Sequence, residues 1–359
     1  MMKKYVAGHL KDMNRKLVYH LMQANCEMTR TEIAAATQIS PPTVMKIVDY
    51  FLSKSIFLAG EEVSSGLGRK AKSLLFNDKA AFAISVNFEG DKVGAGCIDL
   101  RGGTVHYRQI KNDLSLKDFM KTRIAPFLSE FIDSNGIDEE RLLGVGIGIP
   151  AVVDTGRNTV EFAPLLGVEV EYNITEDLYE LSNYLGASVH IENDVNAAAM
   201  GEFNIRDLNR GSDFIYISVG TGVGAGIILD GRIRTGRHYT AGEVGYMVFE
   251  PEYETRKESE GWLEKRINGL SPVDPAAHVA THVALCIANM TATLDIDRVV
   301  VGGQLANSLG DAFYILLEKY IERLCLNRVK LEKRICSDSV IAGMAVITRD
   351  KMLDALLSD

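Results

Sequence analysis

Near its start the chain places apolar and polar residues at helical spacing. In Asn14–Ala24 the apolar residues Leu17, Val18, Leu21 and Met22 share one helix face. Thr29 and Glu32 have the spacing of a capping box and predict a short Ala-rich helix over Thr31–Thr37. Gln38-Ile-Ser reads as a turn. Ser40 is placed to cap a third helix, in which Pro41 occupies a first-turn position where a missing N–H costs nothing. Val44, Ile47, Val48 and Phe51 form the inner stripe of that helix. Two short strands follow, Ile56–Val63 and Ser73–Phe76, around the basic, glycine-rich segment Ser64-Ser-Gly-Leu-Gly-Arg-Lys70.

A short helix, a tight turn, a second helix and a basic hairpin tip predict a winged helix-turn-helix over residues 1–76. In that arrangement the start of the second helix of the pair meets base edges, and the hairpin tip suits phosphate or minor-groove contact. Arg30, Thr43 and Lys46, with Gly68, Arg69 and Lys70 at the tip, are therefore the candidate contacts to double-stranded DNA. A small helical bundle used for dimerisation is the competing explanation of the same pattern.

From Ala80 the periodicity changes. Ala80–Val86 and Val93–Ile98 are β-rich, and a turn falls at Arg101-Gly-Gly. A helical stretch over Leu116–Ser134, a strand at Leu143–Pro150, and a strand at Val189–Glu192 running into a helix from Val195 follow. The second half repeats the theme. Phe214–Val219, the glycine-rich turn Gly220–Gly226 and Ala225–Leu229 precede a long helix at Pro275–Leu294 and a strand at Arg298–Val301 that ends in Gly-Gly. The expectation is two α/β lobes around a cleft, 77–195 and 196–359, with the final helices able to return to the first lobe.

Charge sharpens the division. The net charge of −9 over 359 residues hides a head of residues 1–75 with eleven Lys/Arg and six Asp/Glu, and an acidic remainder with 28 and 42. A basic head on an acidic body is the footprint of a nucleic-acid-binding module attached to something else. The 5 cysteines form no CxxC pair and are read as reduced, buried small hydrophobes. No apolar run reads as a bilayer span and the start carries no apolar signal core, so no membrane is expected and the location is expected to be cytoplasmic.

Three body segments carry a resemblance. Glu192-Asn-Asp-Val-Asn-Ala-Ala-Ala-Met-Gly-Glu202, Gly220-Thr-Gly-Val-Gly-Ala-Gly226 and Ala241-Gly-Glu-Val-Gly245, in this order and behind such a head, resemble the ROK family of repressors, open reading frames and sugar kinases. The likeness runs nearly end to end, and the head is similar to the xylose and N-acetylglucosamine repressor branch. It implies an α/β body of the two-lobed, actin-like ATPase (sugar kinase, ribonuclease H-like) fold. It also implies that Asn193, Asp194, Glu243, Tyr246 and Glu264 face a sugar, and that Gly220, Thr221, Gly222 and Gly224 form a phosphate loop. Asn193 or Asp194 would also be favoured simply as a helix cap, and the glycines simply as a tight hairpin.

Departures from the family pattern separate two uses of such a body. Where the kinases have Asp-x-Gly-Gly-Thr-Lys, this chain has Asn87-Phe-Glu-Gly-Asp-Lys92; a neutral Asn87 and the carboxylates of Glu89 and Asp91 oppose a triphosphate. The family's zinc-binding histidine is Tyr246, and Pro251–Gly261 has no cysteine, so neither zinc nor another metal is expected. Ala163-Pro-Leu165 stands where the family has Ala-Pro-Asn. The resemblance thus implies a sugar-responsive transcriptional regulator, a repressor of carbohydrate-metabolism genes, with a sugar or sugar phosphate in its cleft and no cofactor. It is expected to form a homodimer or homotetramer. Two alternatives stay open: a sugar kinase using ATP and Mg, with Asp194 as base, and a DNA-binding scaffold without ligand.

Overall fold

The computed structural model describes residues 7–63, 71–161, 163, 166–206, 208, 211–250, 260–269 and 273–357. The head comprises α1 (Ala7–Asn25), β1 (Glu27–Thr29), α2 (Arg30–Thr37), α3 (Pro41–Ser53), β2 (Phe57–Val63) and β3 (Ala71–Phe76). The three strands form an antiparallel sheet in the order β1-β3-β2. Thr29 caps α2 as its spacing predicts: its side chain accepts from the Glu32 N–H while Glu32 accepts from the Thr29 N–H at 2.7 Å. Ser40 stands at the N-cap of α3, but its hydroxyl bonds the Thr43 hydroxyl (2.8 Å) and not a backbone N–H. The inner stripe of α3 is Val44, Ile47, Val48 and Phe51, as predicted. That of α1 is rotated from the expectation. Arg15, Val18, Tyr19 and Met22 are buried, Leu17 is exposed, and the Arg15 guanidinium lies 3.5 Å over the Tyr50 ring.

The first lobe contains β4 (Phe82–Glu89), β5 (Lys92–Asp99), β6 (Thr104–Lys111), α4 (Leu116–Thr122), α5 (Ile124–Asn135), β7 (Leu142–Ile149), the short strands β8 (Val153–Asp154), β9 (Thr159–Val160) and β10 (Tyr172–Asn173), then α6 (Thr175–Leu185) and β11 (Ser188–Asn193). Next come α7 (Asp194–Ile205), β12 (Phe214–Val219), β13 (Val223–Leu229), β14 (Arg232–Ile233), α8 (Trp262–Asn268), α9 (Pro275–Leu294), β15 (Arg298–Gly302), α10 (Gln304–Leu324), β16 (Lys330–Lys333) and α11 (Ser339–Leu357). The helix expected over Leu116–Ser134 is two helices that break at Arg123. Pro126 explains the break, because its ring would clash with the carbonyl of Thr122 in a continuous helix.

The two large sheets share one topology. The first runs β11-β7-β4-β5-β6 and the second β16-β15-β12-β13-β14. In each, a central strand pairs antiparallel with the next strand of a meander and parallel with a later strand. Large apolar side chains fill the outer face of each. Ile84, Val86, Phe88, Val145 and Ile147 pack under α4, α5 and α6, and Ile215, Ile217, Val299 and Val301 pack under α8, α9 and α10. α9 is long and apolar enough to cross a membrane by length and composition, which corrects the expectation, but Val279, Ala280, Val283, Cys286, Ile287 and Met290 are buried in this second core.

Between the sheets lie α7, against β12 and β13, and α11, against β4 and β7. The last helix therefore packs on the first lobe. It also reaches the head: Leu353 is buried in one cluster with Val18, Met22, Phe57 and Leu100. Gln23 Nε2 donates to the Leu100 carbonyl at 2.6 Å, a second tie between head and body. The five cysteines are free; Cys97 and Cys286 are buried as expected, whereas Cys26 is exposed.

Candidate functional site

The site starts where β11 runs into α7. Asn193 is the N-cap: its Oδ1 accepts from the Asn196 N–H (2.8 Å), and its Nδ2 donates to the Ala151 carbonyl (2.9 Å). Glu192 is buried and its Oε1 accepts from the Asn193 N–H and from Asn196 Nδ2. Much of the polar run 192–196 thus bonds to itself and shapes the strand-to-helix turn. Asp194 is the exception. Its carboxylate accepts from the neighbouring Val195 N–H (2.9 Å) and its own backbone N–H, and burial pushes its carboxyl up to about 6.

Glu243 faces the same region from the second lobe. Burial first, then the charges of Glu264 and Asp194, push its carboxyl up to about 7. Glu264 lies behind it and joins three segments. Its Oε1 accepts from the Val223 N–H at the glycine hairpin (2.8 Å), and its Oε2 accepts from the Gly261 N–H at the start of α8 (3.1 Å). A methyl group at Gly245 would press within 2.7 Å of its carboxyl carbon, so only glycine lets the third segment approach. Tyr246 is part-exposed, and its hydroxyl is shifted up by burial and by the charges of Glu264 and Glu243. Asp194, Glu243, Glu264 and Tyr246 therefore share one electrostatic environment. A neutral carboxyl can donate as well as accept, and a carboxylate can only accept, so this group suits hydroxyl-rich ligands.

Gly220, Thr221 and Gly222 form the tip of the β12–β13 hairpin, closed by the Gly220 N–H donating to the Gly222 carbonyl at 2.9 Å. None of Gly220, Gly222 and Gly224 has a left-handed φ, so positive φ is not the reason for glycine. Close approach is: a methyl at Gly222 would lie 3.0 Å from Glu264 Oε1, and one at Gly224 3.1 Å from Val195. Across the cleft, Asn87 is buried at the end of β4 with no hydrogen-bond partner for its Oδ1 among the described residues. Glu89 ends β4, Asp91 pairs with Lys111 at 3.9 Å, and burial together with the charge of Glu89 shifts the Asp338 carboxyl up. These groups are acidic and would repel the negative charge of a triphosphate. Among the described residues no group of three or more His, Cys, Asp or Glu could hold a metal ion.

Of the candidate DNA contacts, Lys46 is exposed on α3. Thr43 is half-buried and bonded to Ser40, and Arg30 pairs with Asp49 at 3.2 Å. Gly68, Arg69 and Lys70 lie outside the described residues, as do Pro164, Leu165 and most of the 251–261 loop. Sequence reasoning missed Tyr239. It has a strained φ of +56°, and its hydroxyl lies 2.8 Å from where a Gly156 methyl would stand, so it bridges the second lobe to the β8–β9 turn of the first. The only sequence signal was its place just before Ala241-Gly-Glu243.

Residues 83–259 match the ROK family profile. The chain carries a ROK-family domain. The xylose repressor of Bacillus subtilis (strain 168) is 27% identical over 244 residues, 67% of this chain and 62% of the relative. The DNA-binding transcriptional dual regulator NagC of Escherichia coli (strain K12) is 24% identical over 242 residues, 67% of this chain and 59% of the relative. The chain thus spans about three fifths of the length of these curated relatives. A crystal structure of a ROK family transcriptional regulator, described as a homolog of the E. coli MLC protein, superposes with a TM-score of 0.77 at 21% identity, covering 97% of this chain and 98% of that one. The ROK family glucokinase of Streptomyces griseus, solved with glucose and AMPPNP, gives a TM-score of 0.62 at 22% identity, covering 75% of this chain and all of its own. The body has the ROK actin-like sugar-kinase fold.

Proposed function

We propose that this ROK protein is a sugar-responsive transcriptional repressor whose winged helix-turn-helix head binds operator DNA and whose cleft senses a sugar or related polyol. One observation carries the reading. α7 starts with Asp194 in the cleft and crosses α11, and α11 ends in the hydrophobic cluster of the head. At the crossing Gly201 meets the Ser339 carbonyl and Gly343 meets the Ala197 carbonyl so closely that neither has room for a side chain. Glu202, fully buried, accepts from the Cys336 N–H (2.9 Å), the Ser339 hydroxyl (2.7 Å), the Ile335 N–H (3.2 Å) and Arg206, and so fastens the start of α11 to α7. A ligand that favours one arrangement of the lobes then changes how the heads of a homodimer or homotetramer meet two half-sites. The basic head, and relatives whose names are repressors of sugar genes, support the same reading. So does the acidic end of β4, which opposes use of ATP. The protein acts in the cytoplasm.

The test has two arms. Labelled promoter DNA from the protein's own genomic neighbourhood should bind at low salt, with affinity falling steeply as salt rises. A thermal-shift screen of sugars, sugar phosphates and ATP should find a stabilising sugar, because a ligand selective for the native state raises its apparent stability. Absence of DNA binding at low salt defeats the regulator. ADP release with some sugar that vanishes in Asp194→Asn would replace it with a kinase. Stabilisation by no compound, with DNA binding intact, would leave a scaffold.

A further inference from the structure

The outward face of α3 is short of hydrogen-bond donors. Pro42, Met45, Lys46 and Asp49 are exposed and fall at positions i, i+3, i+4 and i+7, opposite the buried stripe of Val44, Ile47, Val48 and Phe51. Met45 is 54% exposed, an apolar side chain at the point of the helix where base edges are read. Pro41 and Pro42 occupy the first two helical positions, which removes two of the N–H groups that a helix start ordinarily offers to phosphate. The Thr43 hydroxyl is engaged with Ser40, and Asp49 is paired with Arg30. What remains for the groove is the apolar surface of Pro42 and Met45 beside the cation of Lys46 and the one hydroxyl hydrogen that the Ser40–Thr43 pair leaves over. The one apolar group that base pairs display in the major groove is the C5-methyl of thymine.

We infer that Met45, with Pro42 beside it, packs on thymine methyl groups of the operator and selects thymine at those steps. This rests on the proposed DNA binding. The flexible thioether of Met45 adapts to a methyl in either strand, and Lys46 supplies phosphate attraction that is indifferent to sequence.

In vitro selection with the full-length chain defines the bound sequence, and each thymine is then replaced by deoxyuridine, which deletes only the methyl. At one or two positions per half-site the wild type should lose about four-fold in affinity, the worth of one buried methyl. Met45→Ala should bind about three- to ten-fold more weakly, keep the salt slope, and show no deoxyuridine effect there. Met45→Leu should keep most of that effect. Lys46→Ala should weaken all sequences alike and reduce the salt slope by about 0.9. An equal deoxyuridine effect in wild type and Met45→Ala overturns the inference, as does no effect at any thymine. A change of oligomeric state in Met45→Ala with methyl discrimination intact would assign the residue to a protein contact and also overturn it. Failure to enrich any sequence would sink the DNA-binding reading itself, and this inference with it.

Discussion

The two sheets of the body repeat one strand order yet present different inner faces. In the first sheet that face carries glycines along β7 and, besides them, Ala83 and Ile98 packed on Ile341 and Ala345. Gly144, Gly146 and Gly148 of β7 lie directly beneath Thr348, Met344 and Val340 of α11, and Gly96 of β5 lies beneath Ile341. In the second, Phe214, Tyr216, Ile228 and Val300 project toward α7. α11 therefore rests largely on backbone, whereas α7 rests on side chains over β12 and on Gly224 and Gly226 over β13. Side-chain contacts can repack in small steps, whereas a helix seated on glycine backbone has no such latitude. Much of the polar side of the cleft, Glu243, Tyr246, Glu264 and the glycine hairpin, belongs to the second lobe.

The contrast depends on the α7–α11 junction, so breaking that junction has the largest effect. Glu202→Ala leaves Arg206 without its buried partner and frees the start of α11; it should cost about 3–5 kcal/mol in urea unfolding. Gly343→Ala forces a methyl into the Ala197 carbonyl and should cost about 2–3 kcal/mol by the same measurement. Where either variant still folds, sugar should still stabilise it while its effect on DNA affinity shrinks. Equal coupling to wild type would show that the signal travels another way.

A smaller effect reads the cleft. The carboxyls of Asp194 and Glu243 lie above their ordinary values, at about 6 and about 7, so the native state favours their protonated forms. This contribution to stability is complete below about pH 4 and is lost as pH rises through about 6 to 7. The ligand-free protein should lose stability between those limits, and Glu243→Gln should flatten the upper part of the curve. An unchanged profile would mean that Glu243 is solvated. The smallest effect is confined to the head: Thr29→Ala removes the cap of α2 and should cost about 1 kcal/mol. DNA affinity measured well below the melting temperature, with the sugar response intact, would place the loss in the head alone.

Local signals made the head readable. The Thr29–Glu32 cap and the stripe from Val44 to Phe51 are written within a few residues of one another. The body was harder because its order lies in pairings between distant strands. Thr104–Lys111 forms an edge strand with mixed polarity and no local sign of its partner β5. The break at Arg123 could have been found from Pro126. The cleft residues came from family likeness and not from periodicity, and the structure adds that Glu264 accepts from the backbone N–H groups of Val223 and Gly261. Nothing in a single sequence reveals that the glycines of β7 serve a helix some 200 residues later.

The crossing of Gly201 and Gly343 limits how the halves can travel. Advancing α11 by one residue along its axis would bring the side chain of Ala342 or Met344 under the Ala197 carbonyl, where Gly343 leaves no space for even a methyl. Translation is blocked at that point, and rotation about it is the motion left. In the proposed regulator the two glycines would act as a pivot, and an angle set at the cleft would reach the head as an angle.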